Sequence, residues 1–237
     1  MNQSSVILTI YYTKHPDPQR NIHQKENNFS YIKKFYDSVV KNNMMAVIFH
    51  DGLSNQFIDK YQNKNISFIL LPEKTYGLSS MNDIRFMVYL DYLMKNKSIQ
   101  KVIISDIADV EFYDDIFNDI TENKLYVCYD RSRTFRHYYL TNRIKLTYKT
   151  MDPFSHIMDA KAVQAGLFAG SYEMIVKCLE HMKYEFENIV DKSYNCNYIV
   201  YNHIVYHNMI SDSVFSIEGN DIKARCGKDI KYLTWKL

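Results

Sequence analysis

The stretch VIISDIADVEF (102–112) joins a short apolar segment to two carboxylates, and it sets the class of fold. KVIIS (101–105) is rich in β-branched residues and predicts a buried strand. Asp106 follows this strand directly, and Asp109 comes three residues later. Carboxylates are oxygen ligands suited to Mg²⁺ or Mn²⁺, and a strand end would place them at the mouth of a sheet. The alternative is that Asp106 only caps the turn and that Asp109 is solvated, because aspartate is a common turn former.

Outward from this stretch, short apolar segments alternate with helical patterns. Helices are predicted over 30–42, where apolar residues recur at helical spacing, and from Ser79 to about Lys95. The predicted strands are 5–12, 45–49, 67–71, 101–105 and 125–129. This alternation predicts an α/β fold, with a mostly parallel central sheet and helices on both faces. Ligands bind such sheets at the carboxyl ends of the strands.

The second half of the chain is less regular. Residues 130–160 hold no clear periodic element, which is unusual unless such a segment is functional. A small-residue segment, QAGLFAG (164–170), precedes a helix whose apolar face includes Met174 and Met182, and 197–209 is a further apolar segment. The tail from Val214 predicts short strands.

Composition and charge bound the class of protein. The 237 residues fit one α/β domain, with a first half of about 1–130 and a second of about 131–237. The formal net charge is +2, and acidic and basic residues are interspersed along the chain. The sequence therefore does not show the clustered basic residues expected of a nucleic-acid-binding surface. The four cysteines form no CxxC pair and indicate reduced thiols, and no apolar run reaches the length of a membrane span. We therefore expect a cytoplasmic protein.

Four segments, taken in chain order, resemble the motifs of GT-A glycosyltransferases. The pair Asp106–Asp109 resembles their DxD-type motif in a DxxD spacing. The other three are NDIRFMVYLDYL (82–93), which resembles the helix that carries a basic residue toward the pyrophosphate, QAGLFAG (164–170), which resembles the acceptor segment, and NYIVYNHIVY (197–206), which resembles the "D-Q-x-x-x-N" helix. The resemblance spans most of 82–206 and implies a Rossmann-like GT-A fold.

The chain departs from the family pattern at four places, the first of which is Ala169 before the second glycine of the family's Gly-Gly pair. Gln164 replaces an asparagine, and Asn197-Tyr198 replaces an Asp-Gln pair, so a carboxylate is missing there. Many members also supply a late histidine to the metal, but nothing suitable follows His207.

The resemblance implies a nucleotide-diphosphate sugar as donor, and a glycan or other hydroxyl compound as acceptor. Asp109 would bind Mn²⁺ or Mg²⁺, and Asp106 would face the ribose or the cation. Arg85, which lies 21 residues before Asp106, is the candidate for the phosphate or the donor sugar.

Strand ends and the acceptor half supply the remaining candidates. In this fold Tyr11, Tyr12 and Asp51 would surround the nucleoside. The acceptor would meet Gln164, Ala165 and Gly166. Of the carboxylates in the acceptor half, Asp191 is preferred as a catalytic base over Asp152 and Asp159.

Two other functions stay open. The missing carboxylate at Asn197 is compatible with a GT-A-like module that binds nucleotide or glycan without catalysis. A nucleotidyltransferase on a related fold is the third candidate, although the chain lacks a glycine-rich, basic loop after the first strand.

Overall fold

The structure is a computed structural model that describes residues 4–17, 22–71, 76–189 and 191–207, apart from the side chains of 131 and 132. It also describes the backbone of three short strands between 214 and 234. Within these ranges, no helix has both the length and the apolar character needed to cross a membrane.

Ten strands and six helices make up the described fold. The strands are β1 Ser5–Tyr11, β2 Ala46–His50, β3 Ile66–Leu70, β4 Lys101–Ser105, β5 Val110–Phe112, β6 Leu125–Thr134, β7 Lys161–Ser171, β8 Val214–Ser216, β9 Ile222–Cys226 and β10 Tyr232–Thr234. The helices are α1 Phe29–Lys41, α2 Asn55–Tyr61, α3 Met81–Lys95, α4 Tyr138–Tyr148, α5 Tyr172–Asn188 and α6 Asn197–His207. Short 3₁₀ helices cover Ile116–Asp119 and Asp152–Ile157.

The central sheet has seven strands in the order β3-β2-β1-β4-β7-β6-β8. The strands β1 to β4 are mutually parallel, and β6 pairs in parallel with β8. Only β7 is reversed among these strands, and it lies between β4 and β6 with antiparallel pairing on both sides. A second, antiparallel sheet has the order β10-β9-β5. The predicted α/β fold with a mostly parallel central sheet is confirmed.

Both faces of the sheet are covered by helices. Along β1, Val6 and Leu8 belong to the core formed with α3, α5 and α6, whereas Ile7 belongs to the core formed with α1 and α2. Successive side chains of a strand point to opposite faces, so a run of consecutive buried residues in β1 requires a packed layer on each side. The continuous apolar run of β1 is therefore explained by burial of both faces of this strand.

The expectation of an irregular segment at 130–160 is wrong. This part of the chain contains the end of β6, the helix α4 and the 3₁₀ helix Asp152–Ile157. Phe135, Leu140, Ile144 and Phe154 are fully buried in a third apolar cluster, which also includes Ile199 of α6. Helix α4 is weakly amphipathic, and its stability depends on these tertiary contacts more than on a local pattern.

Candidate functional site

A cleft of about 910 Å³ lies at the carboxyl ends of β1 and β4. It brings together seven of the residues predicted from the sequence. These are Tyr12, Arg85, Asp106, Asp109, Gln164, Ala165 and Gly166. Because β1 and β4 are parallel neighbours, the segments that follow them emerge at the same edge of the sheet.

Asp106 is held at this edge by the reversed strand β7. Its backbone N–H donates to the carbonyl oxygen of Gly166 over 2.7 Å. Its carboxylate lies so close to Gly166 that a Cβ atom there would be 2.4 Å from Oδ2 and 2.9 Å from Cγ. Glycine at position 166 is therefore required by the close approach of a carboxylate.

An ion pair joins Asp106 to Arg85 of α3. The Arg85 Nη1 group donates to Asp106 Oδ1, and Nη2 donates to the carbonyl oxygen of Ala165 over 3.4 Å. The Arg85 side chain is 8% exposed, whereas that of Asp106 is 34% exposed and can still contact a ligand. Burial would lower the pKa of Arg85, but the charge of Asp106 outweighs it and the pKa is raised. Arg85 is thus a permanent cation beneath the cleft, and its Nε has no hydrogen-bond partner in the described part of the chain.

Asp109 lies in the turn that follows Asp106. This turn buries Ile107 and leaves Asp106 and Asp109 half-buried on the cleft, where Glu111 and Asp17 also lie. Among the residues that the structure describes, no three histidine, cysteine or acidic side chains are grouped closely enough to enclose a metal ion. The donor set is all carboxylate oxygen, which fits Mg²⁺ or Mn²⁺ bound through one or two carboxylates with phosphate oxygens and water.

Asn197 has a structural role that an aspartate would not fulfil. Its Nδ2 group donates to the carbonyl oxygen of Asn82 over 2.8 Å, and a carboxylate has no hydrogen to donate there. The Asn82 side chain in turn accepts a hydrogen bond of 2.8 Å from the hydroxyl of Tyr12 on the cleft. Asn197 therefore connects α6 to α3 and, through Asn82, to Tyr12.

Asp83 strengthens the same connection between α3 and α6. Its buried carboxylate accepts the backbone N–H groups of Cys196 and Asn197, the latter over 2.8 Å, at the start of α6. Burial raises the pKa of Asp83 to about 6, although these hydrogen bonds and the charge of Arg85 act in the opposite direction. The role of Asp83 in positioning the cleft is not visible in the sequence, because its partners lie more than a hundred residues away.

Tyr11 is a core residue, which corrects the prediction that it faces the nucleoside. Its side chain is fully buried, its ring lies 5.1 Å from that of Tyr31, and its hydroxyl donates to the carbonyl oxygen of Lys25. Consecutive side chains alternate in direction along an extended chain, so only Tyr12 reaches the cleft.

Asp51 and Asp191 also lie outside the lining of the cleft. The Asp51 carboxylate accepts the backbone N–H groups of Thr13 and Lys14 over 2.8 and 2.9 Å, so it organises the loop after β1. Asp191 accepts hydrogen bonds from Ser193, and these bonds lower its pKa. A low pKa disfavours a general base, and the structure does not bring Asp191 to the other predicted residues.

The far wall of the cleft consists of residues that were not predicted from the sequence to bind a ligand. Arg133 comes from β6, Tyr139 and Arg143 come from α4, and Tyr198 comes from α6. For Arg133 and Tyr139 the available signal was DRSRTFRHYY (130–139), in which three arginines lie among aromatic residues. That pattern is typical of a binding surface. It does not indicate which side chains face the cleft, because helix α4 was not predicted.

Comparison with solved structures shows a likeness in fold to known proteins. No protein-family model and no curated protein sequence matches this chain. The fold is similar to that of the bifunctional glycosyltransferase WbbM in its apo structure, with a TM-score of 0.56 and 9% sequence identity. The match covers 92% of this chain and 39% of that chain, so this chain spans about two fifths of that protein. The likeness shows that the α/β fold described above is shared with a glycosyltransferase.

Proposed function

We propose that this chain is a GT-A type catalytic domain that transfers a sugar from a nucleotide-diphosphate sugar to a glycan or other hydroxyl acceptor. The observation that carries the proposal is the position of Asp106. Asp106 follows the central strand β4, and its carboxylate contacts Gly166. It forms an ion pair with the buried Arg85 and lines the same cleft as Asp109. The fold shared with a glycosyltransferase supports it.

Asp109 and Asp106 would hold a divalent cation together with the donor diphosphate. Such a cation acts as a Lewis acid that neutralises the charge developing on the leaving nucleotide. Since Oδ1 of Asp106 is engaged by Arg85, we assign the closer cation contact to Asp109 and assign Asp106 to the ribose or the cation. Tyr12, which is anchored through Asn82, would border the nucleoside.

Arg85 contributes a positive charge that is already in place before the donor binds. A preorganised charge in a partly dehydrated cleft stabilises a developing anion without reorganisation during the reaction. Gln164, Ala165 and Gly166 line the cleft on the strand next to β4, which suits the predicted contact with the acceptor. A hydroxyl group bound there would approach the donor sugar from the β7 side.

Release of nucleotide from a panel of nucleotide sugars, measured with and without Mn²⁺, tests this proposal. Wild-type protein should release nucleotide from at least one donor, even slowly to water, and chelation should abolish the release. Asp109→Asn keeps the size of the side chain but loses its charge, and should lower the rate about 100- to 1000-fold, which corresponds to about 3–4 kcal/mol.

Asp114→Asn is the matched control, because Asp114 is exposed and lies outside the cleft lining. It should keep wild-type turnover. Near-normal turnover by Asp109→Asn, or turnover that survives exhaustive chelation, would contradict the metal assignment. Nucleotide binding without any turnover across the panel would favour the non-catalytic binding module.

A further inference from the structure

Two arginines and an aromatic ring form one wall of the cleft. The guanidinium carbons of Arg133 and Arg143 lie 5.2 and 5.8 Å from the centre of the Tyr139 ring. Arg143 is half-buried and also lies 5.9 Å from the ring of Tyr194. Contact with two aromatic rings restricts the conformations that the Arg143 guanidinium can adopt on the cleft.

The charge of this wall is incompletely neutralised. Arg143 makes no ion pair with any carboxylate in the described parts of the chain, and Arg133 reaches Asp130 only at 3.7 Å. Asp130 is fully buried and also accepts a hydrogen bond of 3.3 Å from the Tyr198 hydroxyl. Because Arg143 is only half-buried and lines the cleft, its positive charge is available to an anionic ligand there.

Two amide groups on the same cleft lack hydrogen-bond partners among the described residues. Asn195, which is 5% exposed, has an unpaired Oδ1, and Gln164 has a buried, unpaired Nε2. A buried polar group that is left without a hydrogen-bond partner lowers the stability of the folded protein. One is an acceptor and the other a donor, so a hydroxyl-bearing ligand, whose groups both donate and accept, can satisfy them.

The strand order separates this wall from the proposed donor site. Arg133 is on β6, and Asp106 follows β4, with β7 and its residues Gln164 to Gly166 between them. Two strand spacings correspond to about 9–10 Å. Arg133 therefore lies on the far side of the predicted acceptor segment from Asp106, and Arg143 lies near the same Tyr139 ring as Arg133.

We infer that Arg143, assisted by Arg133, binds an anionic group of the acceptor, so that the acceptor is an acidic hydroxyl compound such as a sugar carboxylate or a sugar phosphate. Asn195 and Gln164 bind its hydroxyl groups. The assignment of this ligand as acceptor rests on the proposed function, whereas the anion site itself does not.

Binding of small probes, measured by saturation-transfer NMR, tests the inference directly. The probes are methyl β-glucuronide, glucose 6-phosphate and the neutral methyl β-glucoside. Both anions should bind the wild-type protein at least about tenfold more tightly than the neutral sugar, because a charge-assisted hydrogen bond contributes about 1.5–3 kcal/mol. The tighter of the two anions distinguishes a carboxylate acceptor from a phosphate acceptor. Added salt should weaken both.

Arg143→Gln should reduce the affinity for the anions about tenfold, to the level of the neutral sugar, and Arg143→Lys should restore part of the preference. Arg136→Gln is the matched control, since Arg136 is exposed, pairs with Asp159 and lies outside the cleft lining. It removes the same charge and should change nothing. The unfolding midpoint of each variant reports whether it folds.

The inference is overturned if the neutral sugar binds as tightly as the anions, or if Arg143→Gln keeps the preference. Displacement of the anionic probes by a nucleoside diphosphate would also overturn it, because the arginines would then belong to the donor site. Failure of the proposed function is a different result, namely no nucleotide release from any donor. Probe binding that depends on Arg143 would still support the anion site in that case.

Discussion

Replacement of Gly166 by alanine should displace the Asp106 carboxylate and break its pair with Arg85. The new Cβ would be 2.4 Å from Oδ2, whereas ordinary van der Waals contact begins at 3.4 Å, so the carboxylate must move by about 1 Å. It is free to move toward solvent, since the side chain is 34% exposed, but Arg85 is 8% exposed and cannot follow. The substitution therefore leaves a buried cation without its carboxylate.

The magnitude follows from two opposing effects. Removal of one partner from a buried ion pair costs about 3–5 kcal/mol, and the partial exposure of Asp106 reduces this to about 1–3 kcal/mol. Alanine restricts the unfolded chain and returns about 0.4–1 kcal/mol. We expect a net loss of about 1–2 kcal/mol in the free energy of unfolding. Nucleotide release should fall about 100-fold, because a misplacement of about 1 Å at a reacting centre has that effect.

Urea unfolding followed by far-UV circular dichroism measures the stability, and a double-mutant cycle with Asp106→Ala isolates the cause. Without the carboxylate, Gly166→Ala should be neutral or slightly stabilising. Gly52→Ala is the matched control, because the one atom closer to its Cβ than ordinary van der Waals contact would be Cε of the exposed Lys14, at 2.9 Å, which can move aside. A loss of unfolding free energy for Gly166→Ala that is no larger than that for Gly52→Ala would refute this prediction. So would a loss that is the same with and without the Asp106 carboxylate.

Two further predictions concern the contacts that hold α6 in place. The side chain of Asn202 forms hydrogen bonds with both the N–H and the C=O of Val163, over 2.7 and 2.8 Å. Asn202→Ala removes both bonds and should lower the free energy of unfolding by roughly 2–4 kcal/mol in urea titrations. A loss below about 0.5 kcal/mol would contradict this prediction. The pKa of Asp83 is about 6 in the folded protein against an ordinary 3.8, so the folded state binds this proton more tightly than the unfolded chain. The free energy of unfolding of the wild type, relative to that of Asp83→Asn, should therefore fall by up to about 3 kcal/mol as pH rises from about 4 to about 6. Above that range it should stay level. A difference that rises with pH would refute the raised pKa of Asp83.

Much of the sheet could be predicted because its signals are local. The strands β1 to β4 are short apolar runs, and a residue buried on either face of a sheet must be apolar whatever lies against it. Helices α1 and α3 were predicted near their observed limits for the same kind of reason. The position of Asp106 directly after β4 likewise needs no tertiary information.

Helix α4 shows where local signals end. Its buried residues are Leu140, Ile144 and Thr147, and the positions between them are polar or exposed. One weak apolar stripe of this kind does not distinguish a helix from a loop in the sequence. The helix forms because Phe135, Phe154 and Ile199 supply an apolar surface for it, and those residues are distant from one another along the chain.

The sequence by itself determined the alternation of strands and helices, the mostly parallel sheet and the two carboxylates at the end of β4. Only the tertiary structure decided the neighbours of those carboxylates. Strand β7 lies reversed between β4 and β6, which brings Gly166 under Asp106, admits Arg85 from α3, and sets Arg143 on the opposite wall. Strand order depends on the packing of elements that are far apart in sequence, whereas periodicity records only which side of an element is buried. For that reason Tyr11, Asp51 and Asp191 were reasonable candidates by position, and their burial and hydrogen bonds alone place them away from the cleft.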